Sequence, residues 1–320
     1  MKASKLYTSL LLAILFTSTS LAQYTSEHYG LKGNVKEVST TVYRKDKTYD
    51  EDSISKKKWP IPPTTNRLYF DTIGRLTYQL ENNFYHTFYR YKSNTALPVT
   101  ISSNNKVISI KYDHLNQKIS ETESRKYPDT INFHDVMISE VKKTNITYDS
   151  NTNTEYQTVI ALPEGRKIKE IVSIYDQDGC KIKECLYTYD TIFSENKTLC
   201  SSISFIYDTE SNLLQYIQYT YDDEGVNTRT IGNYNKHGKL KNEISYTSDE
   251  FPFRTTKIEY DKHNNITKKT ITFAEYDETF KTSYSYKYKY DKYGNWISME
   301  FFCNEKLYSS TERRISYYNE

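Results

Sequence analysis

Ten tyrosines in this chain are followed directly by aspartate: Tyr49, Tyr112, Tyr148, Tyr175, Tyr189, Tyr207, Tyr221, Tyr260, Tyr276 and Tyr290. Several of these pairs open a phrase that reaches glycine four residues after the aromatic. Tyr175–Gly179, Tyr221–Gly225 and Tyr290–Gly294 do so, and Phe70–Gly74 and Tyr234–Gly238 are near variants. Asn116 and Asn264 take the glycine's place after Tyr112 and Tyr260. A type I turn favours Asp or Asn at its first position, and a hairpin built on it closes with a residue in the left-handed region. Glycine enters that region without steric cost, and asparagine is the next best choice. Each phrase therefore reads as one hairpin turn. Tyrosine ends a strand, aspartate opens the turn, and glycine or asparagine closes it.

The segments between turns alternate. Tyr284, Tyr286, Tyr288 and Tyr290 interleave with Ser285, Lys287 and Lys289, a strict period of two. Ile168, Val172 and Ile174 share a parity, as do Ile297, Met299 and Phe301, and Leu240, Ile244 and Tyr246. One face is thus aromatic and aliphatic and the other Lys, Ser, Thr and Glu, the pattern of an antiparallel sheet wet on one side. The turn aromatics at 175, 207, 234, 260 and 290 leave room for about two strands between neighbours. Such repeats stack neighbour on neighbour. The segment Asp135–Lys143 fits helix or strand, residues 45–66 read as an exposed insertion, and a subdivision near Leu162-Pro163 is possible. With 33 Tyr and 15% aromatics the chain is not a disordered one, and a scarcity of alanine argues against a helical bundle.

Residues 1–22 read as a secretory signal peptide. Lys2 and Lys5 precede the apolar run Leu10–Phe16, and Ser20-Leu21-Ala22 offers small residues for cleavage before Gln23. The run is too short to span a bilayer comfortably. The expected mature chain, 23–320, is exported to the periplasm, the outer surface or the medium, with no transmembrane span. Removing Lys2 and Lys5 leaves 41 basic against 41 acidic residues, so the basic excess of a nucleic-acid binder is missing. Lys56-Lys57-Lys58 reads as a solvated loop.

No Walker loop, nucleophile elbow, zincin motif or dinucleotide fingerprint is present in the sequence. No catalytic residue, metal or cofactor is expected. Asp176–Gly179 and Asp222–Gly225 offer too few oxygen ligands for calcium loops, and the turn reading already accounts for them. Cys185 and Cys200 flank the Asp190–Lys197 turn on partner strands and are the preferred disulfide pair; free buried thiols are the alternative. The tyrosine row 284–288 reads as the core side of the sheet rather than as a sugar-stacking platform. Trp59, beside a proline-rich loop, and Trp296, out of phase with Ile297, Met299 and Phe301, are the candidate ligand-binding residues.

The phrases Phe70–Thr77 and Tyr290–Trp296 resemble the YD repeat of the Rhs family. The segments Leu31–Lys36 and Thr311–Tyr318 are similar to the ends of secreted bacterial YD-repeat-like proteins. The resemblance implies long hairpins in a curved or spiralling sheet and no catalytic residue. The chain lacks an Asp-Pro-x-Gly self-cleavage signature and a toxin segment, and reads as too short for a closed shell. The expectation is an all-β, antiparallel hairpin-repeat protein forming one elongated, twisted sheet. Its expected role is non-enzymatic binding of a protein or polysaccharide partner at the envelope or outside the cell. A purely structural envelope role comes second, and an enzyme with a site assembled across strands third.

Overall fold

The computed structural model describes residues 25–27, 29–44, 63–93, 95–128, 136–162, 164–189, 196–275 and 278–318. Twenty strands and no helix occur among them. The first seven are β1 (Val35–Arg44), β2 (Thr64–Phe70), β3 (Leu76–Glu81), β4 (Tyr85–Tyr91), β5 (Pro98–Ser103), β6 (Lys106–Tyr112) and β7 (Lys118–Pro128). Then come β8 (Val136–Asp149), β9 (Thr154–Ala161), β10 (Arg166–Tyr175), β11 (Lys181–Tyr189), β12 (Lys197–Tyr207), β13 (Leu213–Asp222) and β14 (Gly225–Tyr234). The last six are β15 (Leu240–Thr247), β16 (Pro252–Tyr260), β17 (Ile266–Glu275), β18 (Glu278–Tyr290), β19 (Trp296–Cys303) and β20 (Lys306–Tyr317). The ambiguous stretch at 135–143 is therefore the start of β8, paired with β7. Strands β9 and β10 pair directly with each other on either side of Leu162.

Every strand pairs antiparallel with the next in sequence, and β20 returns to pair with β1 from Val35↔Tyr317 to Arg44↔Ser309. The sheet is a closed up-and-down barrel, which corrects the expected open, elongated sheet. Two causes act together. Twenty strands make about 100 Å of sheet width, ample for the edges to meet. The first and last strands also match, since Val38 faces Ile315 and Val35 faces Tyr317, so closure pairs two edges that would otherwise stay unsatisfied. Closure leaves no free edge for a partner strand to join.

Seven turns share one geometry, opening at Asp71, Asp113, Asp176, Asp208, Asn235, Asp261 and Asp291. The opening residue's N–H donates to the carbonyl four residues on at 2.8–3.0 Å, and the fourth residue's N–H returns to the opening carbonyl at 2.9–3.3 Å. The side-chain Oδ1 accepts two more N–H groups, as Asp71 does from Ile73 and Arg75. Gly74, Gly179, Gly238 and Gly294 close four of these turns in the left-handed region; Asn116, Asn264 and Ser211 close the others. All seven follow even-numbered strands and so gather at one rim. The Tyr221–Gly225 phrase departs from the expectation. It is a tight hairpin with Asp222 opposite Gly225, and it lies at the other rim.

The repeat tyrosine does more than end a strand. Its hydroxyl reaches back to the preceding hairpin: Tyr112 to the Pro98 carbonyl (2.9 Å), Tyr207 to Lys181 (2.8 Å) and Tyr260 to Leu240 (2.8 Å). Tyr290 and Tyr317 reach the carboxylates of Asp261 and Asp291 instead. These repeats are thereby stapled to the ones before them.

Cross-strand partners share a face, which sorts the side chains around the ring. The face carrying Tyr284–Tyr290 also carries Val38, Phe70, Leu76, Ile110 and Ile171, and holds most of the buried residues, down to Ser173 at 0% and Thr256 at 3% exposure. It is the concave side, where side chains converge and cover one another. Only sequence-adjacent strands and the β1–β20 pair approach each other. Barrels of 16–18 strands already leave an aqueous interior, and here most inner side chains stay half-exposed. The one compact core lies at the rim where the chain enters. Leu31 joins Val35, Val38, Phe70 and Leu76 there, with Tyr29 laid edge-on against Phe70. Asn295 holds this entry segment: Lys32 N–H donates to its Oδ1 (2.6 Å), and its Nδ2 donates to the Lys32 carbonyl (2.7 Å).

Apolar character is not confined to one face. On β13, β14 and β15 the row Ile217–Ile231–Ile244 lies on the outer side. Charges lie mid-strand on both faces: Glu243, Arg254, Lys269 and Arg313 inside, Arg67, Lys183, Arg229, Lys257 and Lys287 outside.

Candidate binding wall inside the barrel

Strand β18 sets the site. Its strict alternation aims Tyr284, Tyr286, Tyr288 and Tyr290 inward, one ring per pleat. Tyr286 and Tyr288 lie parallel with centroids 6.5 Å apart, too far for face-to-face stacking, so the rings sit side by side. Phe301 of β19 extends the surface, parallel to Tyr284 at 5.8 Å and to Tyr286 at 5.1 Å. Tyr308 of β20 meets Phe301 edge-on. Burial raises the Tyr286 hydroxyl above its ordinary range and pushes Tyr288 up to about 12. The row lies on the inner side of the sheet, the side expected to be its core, and its rings pack on cross-strand neighbours. Among the described residues no ring contact or hydrogen bond reaches it from across the barrel, and all four rings are half-buried.

Trp296 joins this wall, against the expectation from phase. The register between β18 and β19 shifts at Tyr290, so Ile297 is bulged and Trp296 comes opposite Tyr290. Trp296 therefore shares the inner face with Met299 and Phe301. Its ring lies 6.1 Å from Tyr288, and the Arg313 guanidinium stacks on it with its carbon 3.4 Å from the ring centroid. Arg313 has no carboxylate partner among the described residues, and burial lowers it to about 10. Trp59 falls outside the described residues.

A charged group borders the aromatic wall. Lys269 of β17 is the direct cross-strand partner of Tyr284. Four residues along β16 from Ile258, the partner of Lys269, Arg254 lies 3.7 Å from Glu243 of β15, which also accepts a 2.6 Å hydrogen bond from the Tyr216 hydroxyl. Burial, then the neighbouring Arg254 charge, lowers Lys269 below the usual lysine range, with Glu243 opposing. Tyr216 lies across Gly232, where an added Cβ would fall 2.0 Å from its ring. Four buried side-chain polar atoms lack a hydrogen-bond partner among the described residues, and three belong to this wall: Arg254 Nε, Thr256 Oγ1 and Arg313 Nε.

The preferred disulfide is corrected. All four cysteines are free. Strands β11 and β12 do pair, but Cys185 comes opposite Ser202 on the outer face, while Cys200 is bulged and its sulfur meets the Thr188 hydroxyl at 3.1 Å on the inner face. No cluster of three His, Cys, Asp or Glu suited to a metal exists among the described residues. His263 stacks on Tyr290 at 4.1 Å, and the amides of His237 and His263 belong to the rim turns.

Nothing in the phase of a single strand shows that Trp296, Tyr288 and Arg313 meet. The bulge is a property of the pair β18–β19. The signal that was present is the tyrosine row itself.

No protein-family model matches the chain, and no curated protein matches its sequence. Among solved structures, a porin-like protein from Bacteroides uniformis aligns at 11% identity over 89% of this chain and 99% of its own, with a TM-score of 0.34. A protein of unknown function from Bacteroides fragilis aligns at 8% identity over 38% of this chain and 85% of its own, TM-score 0.30. A TcdB2-TccC3-TEV structure aligns at 10% identity over 78% of this chain but 18% of its own, TM-score 0.26. Likenesses this distant carry no functional argument.

Proposed function

We propose that this chain is an exported, non-enzymatic binding barrel that holds a glycan against the inner wall formed by β18–β20. One observation carries the reading: a continuous row of half-buried aromatic rings, Tyr284–Tyr290 with Phe301 and Trp296, faces the barrel interior, with ring contacts only to its own and neighbouring strands among the described residues. Rings held side by side by a rigid strand suit the flat faces of sugar residues, and a strand positions them better than a loop would. Export rests on the signal-like residues 2–22. A membrane-spanning barrel needs an outward apolar band about 25 Å tall. Here either face carries mid-strand charges, which favours a barrel with water on both sides.

The test is binding of residues 23–320 to a panel of neutral and acidic polysaccharides, by calorimetry, beside Tyr286→Ala and Trp296→Ala. Saturable binding, weakened about tenfold or more in both variants, is expected. Binding that neither variant changes would remove the wall from the site. No binding across the panel would leave a structural envelope role as the better reading.

A further inference from the structure

We propose that the ligand of this wall is anionic: a polysaccharide bearing carboxylate or sulfate groups, with its rings on Tyr284–Tyr290 and its charges at Lys269–Arg254 and at Arg313. The inference rests on the binding reading above and adds the ligand's charge. Three cations border the aromatic row; Glu243 stands among them on the inner face, and Glu275 and Glu278, opposite each other at the end of the β17–β18 hairpin, share that face. Glu243 is already shared between Tyr216 and Arg254. Asp261, at the rim, is taken by Tyr290 and two turn amides. Among the described residues Arg313 makes no ion pair. The Nε atoms of Arg254 and Arg313 are buried with no partner.

An unmet buried guanidinium nitrogen is costly, because nothing offsets the water it has lost. A structure keeps one where something else completes it. Planar guanidinium groups suit the paired oxygens of carboxylate or sulfate, and Arg313 is held flat against Trp296 with one side free of a partner. Lys269 stands beside Tyr284 at one end of the row and Arg313 beside Tyr288 and Trp296 at the other. The three strands and six residues between them set these ends about 25 Å apart. That spacing calls for an extended, chain-like ligand with repeated charge rather than a single small anion.

The test compares four polymers: a polyuronate, a sulfated polysaccharide, a neutral glucan and a single-stranded oligonucleotide. Each is titrated into residues 23–320, wild type and with Arg313→Gln, Lys269→Gln or Tyr286→Ala, at two salt concentrations. Expected is binding of the polyuronate, the sulfated polymer or both, at least tenfold tighter than of the neutral glucan. It weakens about 10- to 100-fold in Arg313→Gln, and its salt dependence becomes shallower in Arg313→Gln and Lys269→Gln. Which polymer binds distinguishes carboxylate from sulfate. Arg313→Lys keeps the charge without the planar fork and should recover part of the affinity; matched thermal unfolding shows that the variants are folded. Equal binding of the neutral glucan, unchanged in Arg313→Gln but lost in Tyr286→Ala, would overturn the anionic assignment and leave the wall intact. Tighter binding of a single-stranded oligonucleotide than of any glycan would overturn it too. Loss of no affinity in Tyr286→Ala would bring down the wall itself.

Discussion

Two stretches of the inner face carry the same kind of side chain and end in opposite states. On β20, β1, β2 and β3 the residues Val35, Val38, Phe70 and Leu76 are sealed, at 0–3% exposure, because Tyr29 and Leu31 lie over them. On β18, β19 and β20 the rings of Tyr284–Tyr290, Trp296 and Phe301 stay half-buried, with no such segment laid over them among the described residues. Apolar character alone does not make a core. The ten or so residues before β1 decide which stretch becomes one, and the remaining wall is left available to a ligand.

The sharpest way to break this comparison is to truncate one side chain from each stretch. Leu76→Ala leaves a cavity where exposure is 0% and should cost about 2–5 kcal/mol in urea unfolding. Tyr286→Ala opens no cavity under a cover and should cost clearly less, about 1 kcal/mol, while removing ligand. Equal losses would mean that the tyrosine wall is a core after all.

Next in size is the clasp that holds the cover in place. Asn295 is 2% exposed and pairs with both backbone groups of Lys32. Asn295→Ala strands a donor and an acceptor together and should cost about 2–4 kcal/mol. Exchange of the Leu31 and Val35 amides should accelerate, and that of β12–β14 amides should not. Uniform acceleration around the ring would mean that the barrel opens as a whole and the seal is not a separate unit.

Much of this architecture could be read before any coordinates. The Asp/Asn-x-x-Gly/Asn spacing names six of the seven turns, missing the one that Ser211 closes, and the parity of β18 names the wall. What escaped reading depends on strands meeting. Closure pairs Val35 with Tyr317, almost the full chain apart, and no local pattern encodes that. The bulge at Ile297 reverses the face of Trp296, and a single strand's phase cannot reveal a register shift against its neighbour. The reach of Tyr112 or Tyr260 to an earlier hairpin is likewise invisible until the hairpins lie side by side. Tyr221–Gly225 shows the reverse failure: the same letters at the other rim form a different turn.

A third contrast lies within the wall. Gly232 leaves space that the Tyr216 ring fills, and Tyr216 in turn holds Glu243. Gly232→Ala should displace the ring, cost about 1–3 kcal/mol and loosen Glu243 from its shared position between Tyr216 and Arg254. If the anionic reading holds, affinity for an acidic polymer should fall together with stability, although the substitution lies across three strands from β17. A stability loss without any change in affinity would detach Glu243 and Arg254 from the binding wall and confine it to β17–β20.

The smallest effect concerns the rim that both stretches share. Asp261 sits below the ordinary carboxylate range. Its burial alone would raise it, but the Tyr290 hydroxyl and then the N–H groups of Asn265 and His263 outweigh that. Asp208 is lowered by the Asn212 N–H and side-chain amide. A carboxylate depressed in the folded state stabilises it at pH above the unfolded value, near 4, and that contribution is lost as pH falls through the folded value. The rim should therefore loosen below about pH 4 while the Leu76 core does not titrate. Asn235 supplies the built-in control, since it makes the same two turn bonds to His237 and Lys239 with no group to protonate. Asp208→Asn and Asp261→Asn together should lower the melting temperature slightly near neutral pH, where the charged carboxylates contribute, and flatten its fall in acid. An acid limb identical to the wild type's would show that protonation acts elsewhere, and the aspartates of the repeat would then matter for turn shape alone.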